Sequence, residues 1–304
     1  MADPLIILAP PRSFTSVVCA MLGQHPQMYG LPEVNLFSAE TMRERQGMLK
    51  WRKPGESGLL RTVAQLWGGE QTVQTVALAK RWVHFRLESA CVSVMRELIE
   101  KVAPRIVVEK SPATTRRVDC MQRVRRAFPG ARFIHLLRHP RTQGESLSTM
   151  VKNNRAPVSV AQELGALDFS TDPPTLDLQK VWYALHMNIY TFLETVPRDQ
   201  WIRIRGEDLL SDPDRYLAEI AEWLGLRADQ EAIEMMKHPE RSPYAGIGPL
   251  NAPFGNDGKF LRDPRLRPLS KGKAPSLEGP LSWRQDKRGF SPEVIQLATE
   301  FGYT

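Results

Sequence analysis

Leu5-Ile6-Ile7-Leu8-Ala9-Pro10-Pro11-Arg12-Ser13-Phe14-Thr15-Ser16 joins an unbroken apolar run to two prolines, a cation and three hydroxyls. Residues 4–9 read as a strand buried on both faces, because the run shows no polar alternation. Residues 13–24 follow at helical spacing, so the intervening loop ends at a helix N-terminus. The first amides there have no intrahelical partner and the helix dipole is positive, which stabilises an anion. Arg12 adds a full charge, and Ser13, Thr15 and Ser16 add donors. The competing reading is ordinary capping by Ser and Thr beside a solvated arginine. The Gly-x-x-x-x-Gly-Lys-Ser/Thr pattern that wraps a nucleoside triphosphate is missing, so any phosphorylated ligand is of a different kind.

Outward from this loop, short apolar runs recur at residues 105–108, 132–137 and 201–205, and helix-length patterns lie at 71–102, 114–128, 141–154 and 176–196. Strands alternating with helices predict an α/β fold with a P-loop-like central parallel sheet flanked by helices, joined by right-handed crossovers. Ser111-Pro112 and Ser211-Asp212-Pro213 each place a capping side chain before a proline in the first helical turn. Beyond His238, Pro, Gly, Asn and Arg dominate up to residue 289, and a last short helix follows near 292–301. The expected organisation is one domain over 1–304. It comprises an α/β core at 1–237, an irregular lid or substrate loop at 238–289, and a helix or linker at 290–304.

The balance of 41 Lys and Arg against 34 Asp and Glu gives a net charge of +7, a bias toward anionic partners without a choice among them. Aromatic residues are not interleaved with the basic runs, which argues against single-stranded nucleic acid as the partner. Cys19, Cys91 and Cys120 lack metal-ligand spacing and read as buried thiols. With no apolar run near the roughly 18 residues of a membrane span, the expectation is a cytoplasmic protein without membrane insertion.

A second basic cluster follows the third strand as Leu137-Arg138-His139-Pro140-Arg141-Thr142-Gln143-Gly144-Glu145-Ser146. Arg138 leaves the strand end and Ser146 lies within the next helix, so both can face one anion. Pro11-Arg12-Ser13-Phe14-Thr15-Ser16, with Arg138 and Ser146 eight positions apart, resembles the sulfotransferases that use 3′-phosphoadenosine-5′-phosphosulfate (PAPS) and release 3′-phosphoadenosine-5′-phosphate (PAP). Glu109-Lys110-Ser111-Pro112 and Gly206-Glu207-Asp208-Leu209-Leu210 add to the resemblance, which spans about residues 5–225. It implies that Pro11, Arg12, Ser13, Phe14, Thr15 and Ser16 hold the 5′-phosphosulfate and that Arg138 and Ser146 hold the 3′-phosphate. The chain departs from the family where Arg12 stands for the common Lys and Phe14 for a common Gly.

Sulfuryl transfer, like phosphoryl transfer, requires positioning and cations near the bridging oxygen. Arg12 and Lys110 follow strand ends and suit that role, and no metal is expected. Lys110 read alone is equally an exposed strand-end lysine. Two residues compete as base for the acceptor hydroxyl: Glu33, just after the first helix, and His238, at the lid opening. Imidazoles ordinarily titrate near neutrality, which favours His238, although a lone histidine is more often a surface or capping residue. His135 and His186 read as core or helix-surface residues. Arg205 either reaches the substrate or pairs with Glu207 or Asp208. Gly258 and Lys259 either close over the 3′-phosphate or form an ordinary turn.

Met236-Lys237-His238-Pro239-Glu240, Pro249-Leu250-Asn251-Ala252 and Phe254-Gly255-Asn256-Asp257 resemble the sulfotransferase domains of polyketide synthases that form terminal alkenes, of curacin and olefin synthase type. That resemblance implies an acceptor β-hydroxyl on an acyl chain carried by acyl carrier protein, with a downstream thioesterase. Arg116, Arg117, Arg123, Arg125 and Arg126 are either a carrier-docking face or a solvated helix surface. The alternatives are a sulfotransferase for a free alcohol or glycan, a P-loop kinase, and a non-catalytic phosphate- or nucleic-acid-binding protein.

Overall fold

The structure, a computed structural model, describes residues 2–49, 53–153, 162–169, 172, 174–267, 269, 275–284 and 286–304. The expected helix end at 154, and residues 268, 270–274 and 285 of the expected lid, lie outside the described residues.

The chain begins with β1 (Leu5–Leu8), α1 (Thr15–Leu22), β2 (Met28–Gly30), α2 (Met42–Leu49), α3 (Lys53–Gly68), α4 (Val73–His84) and α5 (Cys91–Val102). Next come β3 (Ile106–Glu109), α6 (Val118–Ala127), β4 (Arg132–Leu137) and α7 (Pro140–Asn153). A two-stranded antiparallel pair, β5 (Leu167–Asp168) and β6 (Thr175–Leu176), precedes α8 (Leu178–Leu193) and β7 (Trp201–Arg205). The chain closes with α9 (Gly206–Ser211), α10 (Pro213–Trp223), α11 (Gln230–Met236), α12 (Gly258–Arg262) and α13 (Pro292–Glu300).

Five strands form one parallel sheet in the order β2-β3-β1-β4-β7. The two-residue period of β1 sends Ile6 and Leu8 into a core with Phe133, Val94, Leu98 and Phe192, and Leu5 and Ile7 into a core on the opposite face with Val18, Leu217 and Ile220. Both faces are therefore covered, which explains why β1 reads as continuous apolar text. The strand order reverses beside β1, with β3 on one side and β4 on the other. In open parallel sheets a crevice opens there, beyond the carboxyl ends of the strands.

Several elements differ from expectation. The pattern at 71–102 is two helices, α4 and α5, separated at residues 85–90, where Thr41 bridges Ala90 and Cys91 N–H donates to the Glu40 carbonyl. β2, α2 and α3 were not expected. Ser111 precedes a 3-10 turn, Pro112–Arg116, without capping it by its side chain, and the residue at the start of α10 is Asp212 rather than Ser211. Within residues 290–304, Pro292–Glu300 forms α13. Val294, Leu297 and Phe301 pack with Trp182 of α8. Among the described residues no helix is long and apolar enough to cross a membrane.

Candidate active site

The loop after β1 owes its shape to two non-glycine residues in the left-handed region, Arg12 at φ 71° and Phe14 at φ 61°. Such residues cost about 1–3 kcal/mol each and persist only where the surroundings hold them. Phe14 is held by a partner that the sequence does not reveal. A Cβ on Gly206 would lie 2.5 Å from the Phe14 ring, so glycine at the start of α9 makes the room that Phe14 takes. The Arg138 guanidinium covers the ring at 4.4 Å from its centroid. Phe14 thus adopts a left-handed backbone that glycine takes more readily and fills the gap beside Gly206.

Arg12, Arg138 and Ser146 come together from two strand ends. Arg12 Nε donates to Ser146 Oγ at 3.0 Å, and Arg138 Nη1 donates to the Arg12 carbonyl at 2.6 Å. Gln143 Nε2 donates to the Pro11 carbonyl at 2.8 Å, a contact across 132 residues that no local pattern signals. Burial lowers the pKa of Arg12 and brings that of Arg138 down to about 10, so both stay charged near neutral pH. Ser13 is fully buried and its hydroxyl has no partner, and Phe14, at the N-cap of α1, makes no side-chain cap. The hydroxyl of Ser13, the uncapped amides that open α1 and the two guanidinium groups together fit a nucleotide bearing several negative charges.

Beside this cluster, Lys110 leaves the end of β3 completely buried. Its ammonium donates to Ser16 Oγ at 3.0 Å and to Glu33 Oε1 at 2.9 Å. Glu33 keeps 32% of its side chain exposed, so the pair runs from the interior to the crevice. The Glu33 loop is pinned from below. Glu109 accepts from the Ser111 amide at 2.9 Å and from the Ser111 hydroxyl, and Ser111 Oγ accepts the Asn35 amide at 2.8 Å. Glu109 is buried and its second oxygen has no partner, and burial lifts its pKa to about 7. The Glu-Lys-Ser order thus acts at three levels: a buried acid, a cation at the site, and a hydroxyl that ties the neighbouring loop.

From the irregular C-terminal segment, the Gly255 carbonyl accepts the Glu33 amide at 2.7 Å, and the Asp257 amide donates to Ser16 Oγ at 3.0 Å. The Asp257 carboxylate forms an ion pair with Arg12 and also caps α12 through the Lys259 amide. Lys259 itself is exposed, and Gly258 faces open space. Asp257 is the site-facing residue that sequence reasoning missed: an Asn-Asp-Gly run reads as a turn, and only the fold lays it on Arg12.

The other candidates find their polar partners outside this cluster. His238 Nδ1 lies 2.7 Å from Glu240 and its Nε2 lies 3.6 Å from Glu234, so its polar partners belong to its own segment. Arg205 pairs with Asp208 at 2.6 Å and donates to the Gly302 carbonyl, which is the internal ion pair of the two readings. His135 and His186 form a buried pair at 2.8 Å, with Arg203 donating to His135, and burial holds both imidazoles well below their ordinary pKa. Cys19, Cys91 and Cys120 are free and buried, and burial pushes Cys19 up to about 12. Among the described residues, no three His, Cys, Asp or Glu side chains are grouped as metal ligands.

The sequence profile of the sulfotransferase family matches residues 4–230, from β1 through α10 to the first residue of α11. This chain belongs to that family. It is a sulfotransferase, and the matched region contains the Arg12, Lys110, Arg138 and Ser146 cluster. The sulfotransferase fold extends over its whole length to two solved structures. One is the sulfotransferase domain from the curacin biosynthetic pathway, with 23% identity, a TM-score of 0.74 and coverage of 100% of this chain and 99% of that one. The other is the sulfotransferase domain from the Synechococcus PCC 7002 olefin synthase, with 25% identity, a TM-score of 0.73 and coverage of 100% and 97%. A sulfotransferase from Mycobacterium avium shares the fold more distantly, with 13% identity and a TM-score of 0.51 over 98% of this chain and 76% of that one. No curated protein matches the sequence.

Proposed function

We propose that the enzyme transfers the sulfuryl group of PAPS to the β-hydroxyl of an acyl chain on acyl carrier protein. The observation that carries the catalytic reading is the buried Lys110 ammonium, bonded at once to Ser16 of the anion loop and to Glu33 at the crevice. PAPS, when bound, supplies the sulfuryl group and leaves as PAP. Arg12 and Lys110 place positive charge where the departing phosphate oxygen gains negative charge, and the Lys110 side chain is itself fully buried. Glu33 takes the proton of the attacking hydroxyl as the new oxygen–sulfur bond forms and the bridging bond breaks. Glu33 is the better-placed base because it touches Lys110, whereas His238 is engaged by Glu234 and Glu240. Pro11 through Ser16 line the 5′ end, and Arg138 with Ser146 hold the 3′-phosphate. The reading calls on no metal, so turnover in the presence of a chelator is expected to equal turnover without one.

The acceptor is supported by likeness to the olefin synthase domain, which runs through the C-terminal segment as well as the core. A downstream thioesterase would then use the sulfate as a leaving group in forming the alkene. Part of the basic surface on α6 is already occupied. Arg117 pairs with Asp119, and Arg123 is buried against Glu40 and the Phe37 carbonyl, while Arg126 is exposed. Titrating PAP into the wild type and Arg138→Ala by calorimetry tests the cofactor site. Loss of a charge-assisted bond predicts about 10- to 100-fold weaker binding, and equal affinities would refute the assignment. Comparing a β-hydroxyacyl carrier protein with the corresponding free alcohol tests the acceptor. Faster sulfation of the free alcohol would replace the carrier reading with the small-molecule one.

A further inference from the structure

The Gly206-Glu207-Asp208 run after β7 takes no part in the chemistry above, yet Glu207 reaches the base of the Arg138 site. The peptide that joins Arg138 to His139 is held on both edges. Its carbonyl accepts the Trp182 indole N–H at 3.0 Å, and its N–H donates to Glu207 Oε1 at 2.9 Å. The other oxygen of Glu207 accepts the hydroxyl of Tyr303 at 3.0 Å. Tyr303 is 7% exposed, and its ring meets the His139 ring edge-on at 5.0 Å. The Glu207 carboxylate also lies close enough to Arg138 to support its positive charge. Arg138 thus emerges from β4 through a peptide whose plane is fixed by two side chains, Trp182 of α8 and Glu207 of α9, the second held in turn by Tyr303 after α13.

We infer that Glu207 and Tyr303 are positioning residues that aim Arg138 and thereby set the enzyme's preference for a nucleotide bearing a 3′-phosphate. This inference rests on the reading of Arg138 and Ser146 as the 3′-phosphate ligands. A guanidinium recognises a phosphate through directed N–H bonds, so a small rotation of the Arg138 backbone loses affinity chiefly for that phosphate. The rest of the nucleotide binds the loop after β1, which Arg138 touches through the Arg12 carbonyl and the Phe14 ring, so it responds to the rotation less than the 3′-phosphate does. Tyr303→Phe removes one hydroxyl and keeps the buried ring, which spares the core packing around His139 and Phe301.

The test is calorimetric titration of PAP and of adenosine 5′-phosphate, which lacks the 3′-phosphate, into the wild type, Tyr303→Phe, Glu207→Gln and Arg138→Ala. The wild type prefers PAP, and Tyr303→Phe weakens PAP binding roughly three- to tenfold and adenosine 5′-phosphate binding by less than about twofold. Glu207→Gln shifts the ratio in the same direction. In the Arg138→Ala background the Tyr303→Phe effect on PAP disappears, because the two residues act through one contact. An equal loss for both nucleotides, an unchanged ratio, or an effect that persists without Arg138 overturns the inference. A wild type that binds both nucleotides alike overturns the Arg138 assignment itself, a different failure from an altered Tyr303 variant beside a discriminating wild type.

Discussion

Replacing Lys110 with methionine keeps most of the volume of its stem and removes one buried charge. Lys110 is 0% exposed, and its ammonium has two partners, Ser16 Oγ and Glu33 Oε1. Two effects compete. Stability changes little, because the apolar stem still fills its space and the Glu33 carboxylate, 32% exposed, regains water when its partner is gone. Their net is within about 1–2 kcal/mol. The transition state loses more, because the charge stood where the leaving oxygen becomes negative, beside Ser16 of the anion loop. Loss of one such group costs on the order of 10²–10³ in rate, or about 3–4 kcal/mol. The assay is single-turnover sulfation at saturating PAPS, with PAP affinity and the unfolding midpoint measured on the same protein. A hundredfold slower chemical step with PAP affinity within about threefold is expected, since Arg12, Arg138 and Ser146 still hold the nucleotide. A Lys110→Met enzyme that turns over at near wild-type rate would place the charge stabilisation elsewhere.

Asp257→Asn removes the carboxylate that competes with an incoming anion for Arg12, so PAP binding tightens by about two- to fivefold in calorimetry, the worth of a partly exposed ion pair. Weaker binding instead shows that Asp257 aims Arg12 rather than opposing the ligand. Gly206→Ala drives a Cβ to 2.5 Å from the Phe14 ring and 3.2 Å from the Leu137 carbonyl, destabilising by about 1–3 kcal/mol. Adding Phe14→Gly recovers most of that loss, and the pair of unfolding midpoints decides the point. Glu109 has its pKa raised by burial to about 7 from the usual 4.5, so the folded state retains a proton that the unfolded chain releases between those values. The Glu109 contribution is fully present below about pH 4.5 and is lost as pH rises toward 7, at a cost of up to about 3 kcal/mol. Denaturant unfolding at pH 5 and pH 8 is expected to show a smaller decline for Glu109→Gln than for the wild type, and equal declines refute the assignment.

Much of the fold was legible because its cues are local. β1, β3 and β4 are short, largely apolar runs buried on both faces, β7 is a half-buried edge strand in which Ile202 and Ile204 alternate with Arg203 and Arg205, and the helices between them carry regular apolar spacing. β2 was missed because three residues, Met28-Tyr29-Gly30, are too few to show a period. α2 was missed because its buried face includes Arg45, whose guanidinium donates to the Val34 carbonyl. A charged residue satisfied in the interior looks like surface text. The break between α4 and α5 follows from a bridge to Thr41, which no property of residues 85–90 announces.

The sequence by itself determined the α/β class, the loop at Pro11–Ser16 between a strand and a helix, and the place of Arg138 at a strand end with Ser146 in the next helix, because each depends on neighbours along the chain. Only the tertiary structure decided that Lys110 is buried between Ser16 and Glu33, that Asp257 lies on Arg12, that Gly206 makes room for Phe14, and that Glu207 with Tyr303 holds the Arg138 peptide. Each of these contacts joins residues from different strand ends or from the C-terminal segment. Their energies depend on distance and burial, which a one-dimensional order of residues does not contain until both faces of the sheet are packed.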